Sequence, residues 1–148
     1  MRNILHLLLA LLAGVMIPIQ TSLNAELDKF GKHPITTTLI VFSVGVIVCL
    51  AGLAISRPHL PSLSTANAVP IWAWLGGAIA VIYVVLLVLV LPRIGVGLTT
   101  ALVLLGQMIA AMALDHYGVL GNPQHSFGWG RLLGVICMAC GVVLIKWL

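Results

Sequence analysis

The chain has 148 residues, of which 61% are hydrophobic and only 7% charged, with a net charge of +4 and a mean hydropathy of +1.21. Soluble domains carry about 25% charged residues, so this composition cannot cover a water-facing surface and points to a membrane protein. The charge is too dispersed to suggest nucleic-acid binding, because no two of the seven Lys and Arg residues are adjacent.

Five apolar runs are each long enough to cross a hydrocarbon core, which takes roughly 20 residues. They cover residues 4–23, 35–55, 71–91, 94–114 and 129–148. The alternating pattern of a membrane barrel is missing, and an open sheet leaves its backbone unpaired in lipid. The expected fold is therefore all-α, a single five-helix transmembrane domain over residues 1–148. The first run follows Arg2 as a secretory signal would, but it has Leu23 where a small residue should stand and is read as span 1.

Span 1 carries Pro18, Gln20 and Asn24. At 100° per residue both amides share one face with Ala13 and Met16. An amide turned to lipid costs roughly 2–7 kcal/mol, so Gln20 and Asn24 are expected to face a polar path or a helix contact. Pro18 frees the Gly14 carbonyl and is the candidate gate. Glu26 and Asp28, beside Lys29 and Lys32, read as solvated charges of the first loop.

Span 2 offers a stripe of small residues, Gly45, Cys49 and Gly52. Span 3 places Tyr83 near mid-depth, away from the interfacial belt where Trp72, Trp74 and Trp129 belong. A phenol there can offer its face to an organic cation, or it is a core aromatic whose hydroxyl bonds a neighbouring carbonyl. Span 4 aligns Thr100, Gln107 and Ala111, with Asp115 close by. Gln107 lies about 4.5 Å from the span centre at 1.5 Å per residue and is the deepest strongly polar side chain. Its structural alternative is a hydrogen bond to a Thr or Ser such as Ser43. Asp115 closes the span where the helix dipole disfavours an anion, and Arg131 is its expected salt-bridge partner. A proton- or substrate-binding role for Asp115 is the alternative.

Span 5 repeats Gly130, Gly134, Cys137 and Gly141 along one stripe. Such small residues let two backbones approach closely, so this face is expected to pack against another helix, in a second copy of the chain. The three cysteines, Cys49, Cys137 and Cys140, have no acidic or His partners in pattern and read as small packing residues. No metal or cofactor is expected. The segments 56–70 and 115–128 are rich in Pro, Gly, Ser and Asn and read as connectors.

With five spans the termini lie on opposite sides. Arg2, Arg57 and Arg131 then stand on one side, against Lys29, Lys32, Arg93 and Lys146 on the other. Lys and Arg near span ends set orientation, and three against four is close to balance. One reading is that a single charge, or the local density at Lys29 and Lys32, decides the orientation; the favoured reading is dual topology with an antiparallel homodimer, which rebuilds from two copies the inverted repeat that many transporters carry in one chain.

Several motifs occur in order: Pro18-x-Gln20-x-x-x-Asn24, Trp74-Leu75-Gly76-Gly77, Leu91-Pro92-Arg93-Ile94-Gly95, Gly106-Gln107, Asp115-x-x-Gly118-x-x-Gly121, and Arg131-Leu132-Leu133-Gly134 with Gly141. Together they resemble the YdcZ-like family of five-span proteins, a branch of the drug/metabolite transporter superfamily. The resemblance covers nearly the whole chain. It implies a small bacterial inner-membrane protein acting as a dimer of five-helix units, some with dual topology, and it implies transport without naming a substrate. Small multidrug exporters carry a buried glutamate in their first helix. This chain has no acidic residue in the interior of any predicted span, which counts against proton-coupled cation exchange by that route.

The expected function is alternating-access transport of a small polar or amphipathic solute. The rival is a non-transporting scaffold or assembly factor. An intramembrane enzyme is not expected, since no span holds a His/Glu/Asp cluster, an HExxH or a GxSxG.

Overall fold

A computed structural model describes residues 2–58, 69–119, 124 and 128–147. All regular structure among them is helical: α1 (Arg2–Gly31), α2 (Pro34–Ser56), a 3₁₀ turn (Ile71–Trp74), α3 (Leu75–Tyr117) and α4 (Trp129–Trp147). Four helical stretches among the described residues are long and apolar enough to cross a membrane. Most of the first predicted connector and half of the second lie outside the described residues.

The first helix is longer than its apolar run. It continues past Leu23 to Gly31, so Glu26 and Asp28 are helical residues and not part of a solvated loop. Local pairing holds this polar extension together. Lys29 Nζ bonds Glu26 Oε2 one turn back, and Asp28 Oδ1 accepts a 2.6 Å hydrogen bond from Thr37 Oγ1 on α2. Helical backbone also runs through Pro18. One turn on, Thr21 and Ser22 donate to the carbonyls of Ile17 and Pro18 at 2.7 and 2.8 Å.

The α1–α2 turn is tight. Lys32 adopts left-handed backbone with φ 58° and its N–H reaches Asp28 O at 3.1 Å. His33 caps α2 by accepting from the Ile35 N–H, and Pro34 opens the helix, where its missing N–H costs nothing. Arg57 ends α2 in left-handed backbone, its N–H on Leu53 O at 2.9 Å.

Spans 3 and 4 are not joined by a loop. Helix α3 covers 43 residues and is interrupted only at Gly95, with φ 79° and ψ 167°. Only glycine readily occupies that region. The break leaves two segments, 75–94 (α3a) and 96–117 (α3b). One turn into the second, Thr99 Oγ1 donates back to Gly95 O at 2.6 Å. Segment α3b runs past Asp115 to Tyr117, and Gly118, at φ 59°, stops it in the usual left-handed fashion.

The chain forms two compact units, residues 1–93 and 94–148. In the first, burial is confined to one half of each helix. Thr21 and Asn24 late in α1, Thr37 and Thr38 early in α2, and the stripe Val84, Leu87, Val88 and Leu91 late in α3a are buried. This is the end that holds the α1–α2 turn. Residues 4–16, 43–56 and 71–79, in the opposite halves, are all exposed. The second unit comprises α3b and α4.

Candidate functional site

In the second unit α3b and α4 enclose a groove of about 490 Å³. Met108, Met112 and Met138 line it with Ala111, Gly134 and Val135. Three of the chain's five methionines thus meet in one place. Helical spacing explains why. Met108, Ala111 or Met112, and Asp115 fall three or four apart on α3b, as do Arg131, Gly134 or Val135, and Met138 on α4.

Asp115 and Arg131 close one end of this groove. Arg131 Nη1 donates to Asp115 Oδ2 at 3.4 Å, with both side chains more than a third exposed. A pair of this length and exposure contributes only about 0–1 kcal/mol. It is held loosely enough to exchange for other partners. Beyond it, Gln124 Nε2 donates to His116 O at 3.1 Å. A smaller hollow of about 310 Å³ lies by Met112 and Val135 as well, lined further by Ile109, His116, Tyr117 and Leu132.

Of the residues singled out in the sequence, the structure brings Asp115, Arg131 and Gly134 together in this groove. Gly134 belongs to the groove wall, and a side chain placed there would meet no atom within 4 Å. The same open space surrounds Gly130 and Gly141. Gln107 lies one turn before Ala111 on the stripe that enters the groove. It is exposed and sits at the centre of α3b, closer to mid-helix than the shorter predicted span placed it. Ser43 donates to Leu39 O within its own helix at 2.8 Å.

The remaining candidates belong to the first unit. Gln20 is exposed, Asn24 is buried, Pro18 is half-buried, and Tyr83 is half-buried near the centre of α3a. A third hollow, of about 440 Å³, is formed where the end of α1 meets the end of α3a: Ser22, Ala25, Glu26, Asp28 and Lys29 face Leu91 and Pro92. Gln20, Tyr83 and Gln107 line none of these three hollows.

Sequence reasoning missed the methionine groove. Its signal was present in the spacing of Met108, Met112 and Met138 about the Asp115–Arg131 pair. Isolated methionines in a membrane helix read as ordinary apolar filler, so the pattern needs the antiparallel pairing of α3b and α4 to become visible. Among the described residues no group of His, Cys, Asp and Glu is arranged to hold a metal ion.

The model of the family described as "Putative inner membrane exporter, YdcZ" matches residues 5–144. Comparison with curated proteins and with solved structures finds no match. With four apolar helical stretches long enough to span a bilayer and a match over almost its whole length, the chain is an integral protein of the inner membrane and belongs to the YdcZ exporter family.

Proposed function

We propose that the chain is a small-molecule transporter working by alternating access as an antiparallel homodimer of five-span protomers, within the drug/metabolite transporter superfamily. The observation that carries the reading is the exposure of Gln20 and Gln107 on helices built to lie in lipid. Each amide turned to hydrocarbon costs roughly 2–7 kcal/mol. A second protomer, or a water-filled path between two protomers, removes that cost.

Counting α3a and α3b as separate spans follows from length. A 43-residue helix is about 65 Å long at 1.5 Å per residue, twice the hydrocarbon core of about 30 Å. Divided at Gly95, each part has the length of one crossing. The hollow shared by late α1 and Leu91–Pro92 supports putting the α1–α2 turn and the α3a end on one membrane side. That assignment keeps Lys29, Lys32 and Arg93 opposite Arg57 and Arg131, the near-balance that favours insertion both ways.

In this arrangement Gln20 lies about 9 Å from the centre of residues 4–23 toward the α1–α2 side, and an inverted partner carries its own Gln20 to the other side. The dimer then has amides in each membrane half, Asn24 behind Gln20, and Tyr83 at the intermediate level. Pro18 supplies the point at which each half bends. Asp115 marks the mouth of the path, and the stripe Gly130, Gly134 and Gly141 supplies close contact between helices. No cofactor enters this scheme, and no catalytic step is needed.

The test needs no known substrate. In a background with Cys49, Cys137 and Cys140 replaced by alanine, single cysteines at positions 20 and 107 should react with a membrane-impermeant maleimide, and cysteines at Leu8 and Leu12 should not. Positions 20 and 107 closed to the reagent from both sides would mean dry structural contacts, and a scaffold in place of a transporter.

A further inference from the structure

We propose that the groove between α3b and α4 binds a small amphipathic zwitterion. Its apolar body lies among the methionines, its ammonium on Asp115 and its carboxylate or phosphate on Arg131. The proposal deepens the transporter reading by naming a substrate class, and it rests on that reading for the transport of the ligand but not for its binding.

Size and lining come first. A volume of about 490 Å³ falls inside the roughly 300–1,000 Å³ range of small-molecule sites. Seven residues separate Met108 from Asp115, as they do Arg131 from Met138, which gives the groove a length of about 10 Å. The thioether side chains are flexible and polarisable and adapt to apolar bodies of differing shape. Gly134 and Ala111 leave room for one.

Charge then selects the class. The Asp115–Arg131 contact uses a single N–H and a single carboxylate oxygen. A guanidinium offers five donors and a carboxylate about four lone-pair sites, so both groups retain capacity for a ligand. A monocation drawing Asp115 away leaves Arg131 uncompensated at the rim of an apolar groove, and a monoanion does the converse to Asp115. A zwitterion gives each group a counter-charge and adds no net charge to the site. Free apolar amino acids and zwitterionic phospholipid headgroups share this chemistry.

The test uses the purified full chain in phosphatidylglycerol nanodiscs, titrated by calorimetry with L-phenylalanine, phenethylamine and 3-phenylpropionate. Phenylalanine should bind about tenfold or more tightly than either single-charge analogue, the factor that loss of one charge-assisted hydrogen bond produces. Ala111→Phe, which fills the groove, and Asp115→Asn, which removes one charge, should each abolish that preference, with melting curves confirming that both variants are folded. A parallel arm replaces half the lipid with phosphatidylethanolamine. Competitive loss of phenylalanine binding assigns the site to the lipid headgroup, and unchanged binding assigns it to a free solute.

Three results would overturn the proposal: an analogue binding as tightly as phenylalanine, phenylalanine binding that survives both substitutions, or no phenylalanine binding together with no effect of phosphatidylethanolamine on stability. The maleimide experiment separates this outcome from the transporter reading. Zwitterion binding with positions 20 and 107 closed keeps the site and discards transport, and wet positions with no zwitterion binding do the reverse.

Discussion

At the residue scale, the hydroxyls show how a helix satisfies itself where water is scarce. Thr21, Ser22, Thr38, Ser43, Ser56 and Thr99 each donate to the carbonyl four residues earlier. Such back-bonding leaves no polar atom for lipid. Thr37 bonds elsewhere. It is fully buried and donates across the turn to Asp28. Gly31 makes room for this contact, because a Cβ there would stand 2.5 Å from Thr37 Oγ1. A hydrogen bond to a charged group contributes about 1.5–3 kcal/mol. Gly31→Ala and Thr37→Val should therefore each destabilise the protein by about that amount, read as unfolding in mixed micelles. A loss below about 0.5 kcal/mol for both would show that Asp28 finds equivalent partners in water. The sequence placed Asp28 among solvated charges, because nothing in a linear reading brings residue 37 beside it.

At the element scale, α3 and α4 raise different questions. The break in α3 depends on one residue. At φ 79° and ψ 167° a side chain on residue 95 meets backbone strain of about 1–3 kcal/mol. Gly95→Ala should lower stability by that much, whereas Gly97→Ala, two residues on with ordinary helical backbone and open surroundings, should be neutral or mildly stabilising. Equal effects at the two positions would remove the special role of Gly95. On α4, Gly134 forms part of the groove wall, so its replacement perturbs two functions at once. Gly141 lies outside the groove lining and isolates the packing role. If the proposed dimer packs through this face, Gly141→Leu should push the two backbones apart and shift the protein from dimer to monomer in detergent mass photometry. An unchanged dimer fraction would exclude this face from the interface.

At the scale of the whole molecule, orientation is set by few charges. In the proposed five-span arrangement, three Lys and Arg on one side against four on the other leave little bias. C-terminal reporters active on only one side of the membrane should both give signal. Two lysines added beside Lys32 should drive insertion to a single orientation and abolish transport until an oppositely biased copy is supplied. Signal from one reporter in the parent chain would rule out dual topology.

The sequence by itself determined the solvent and the class of fold. With 7% charged residues no soluble packing is open to the chain, and helices are the form that pairs every backbone group locally in lipid. Local spacing also carried the ends of α2 and α4 and the pairing of Asp115 with Arg131, since one connector separates them and an anion at a helix C-terminus calls for a cation. What only tertiary structure decided is what long-range contact decides. The extension of α1 to Gly31 depends on a partner in α2. The single-residue break at Gly95 depends on a backbone angle, and a Pro-Arg-Ile-Gly stretch reads equally well as a loop. The methionine groove depends on two helices meeting side by side. Apolar periodicity specifies that a residue faces protein or lipid, but it is nearly silent on which helix it faces, because in hydrocarbon every apolar neighbour is equally welcome and only packing distinguishes them.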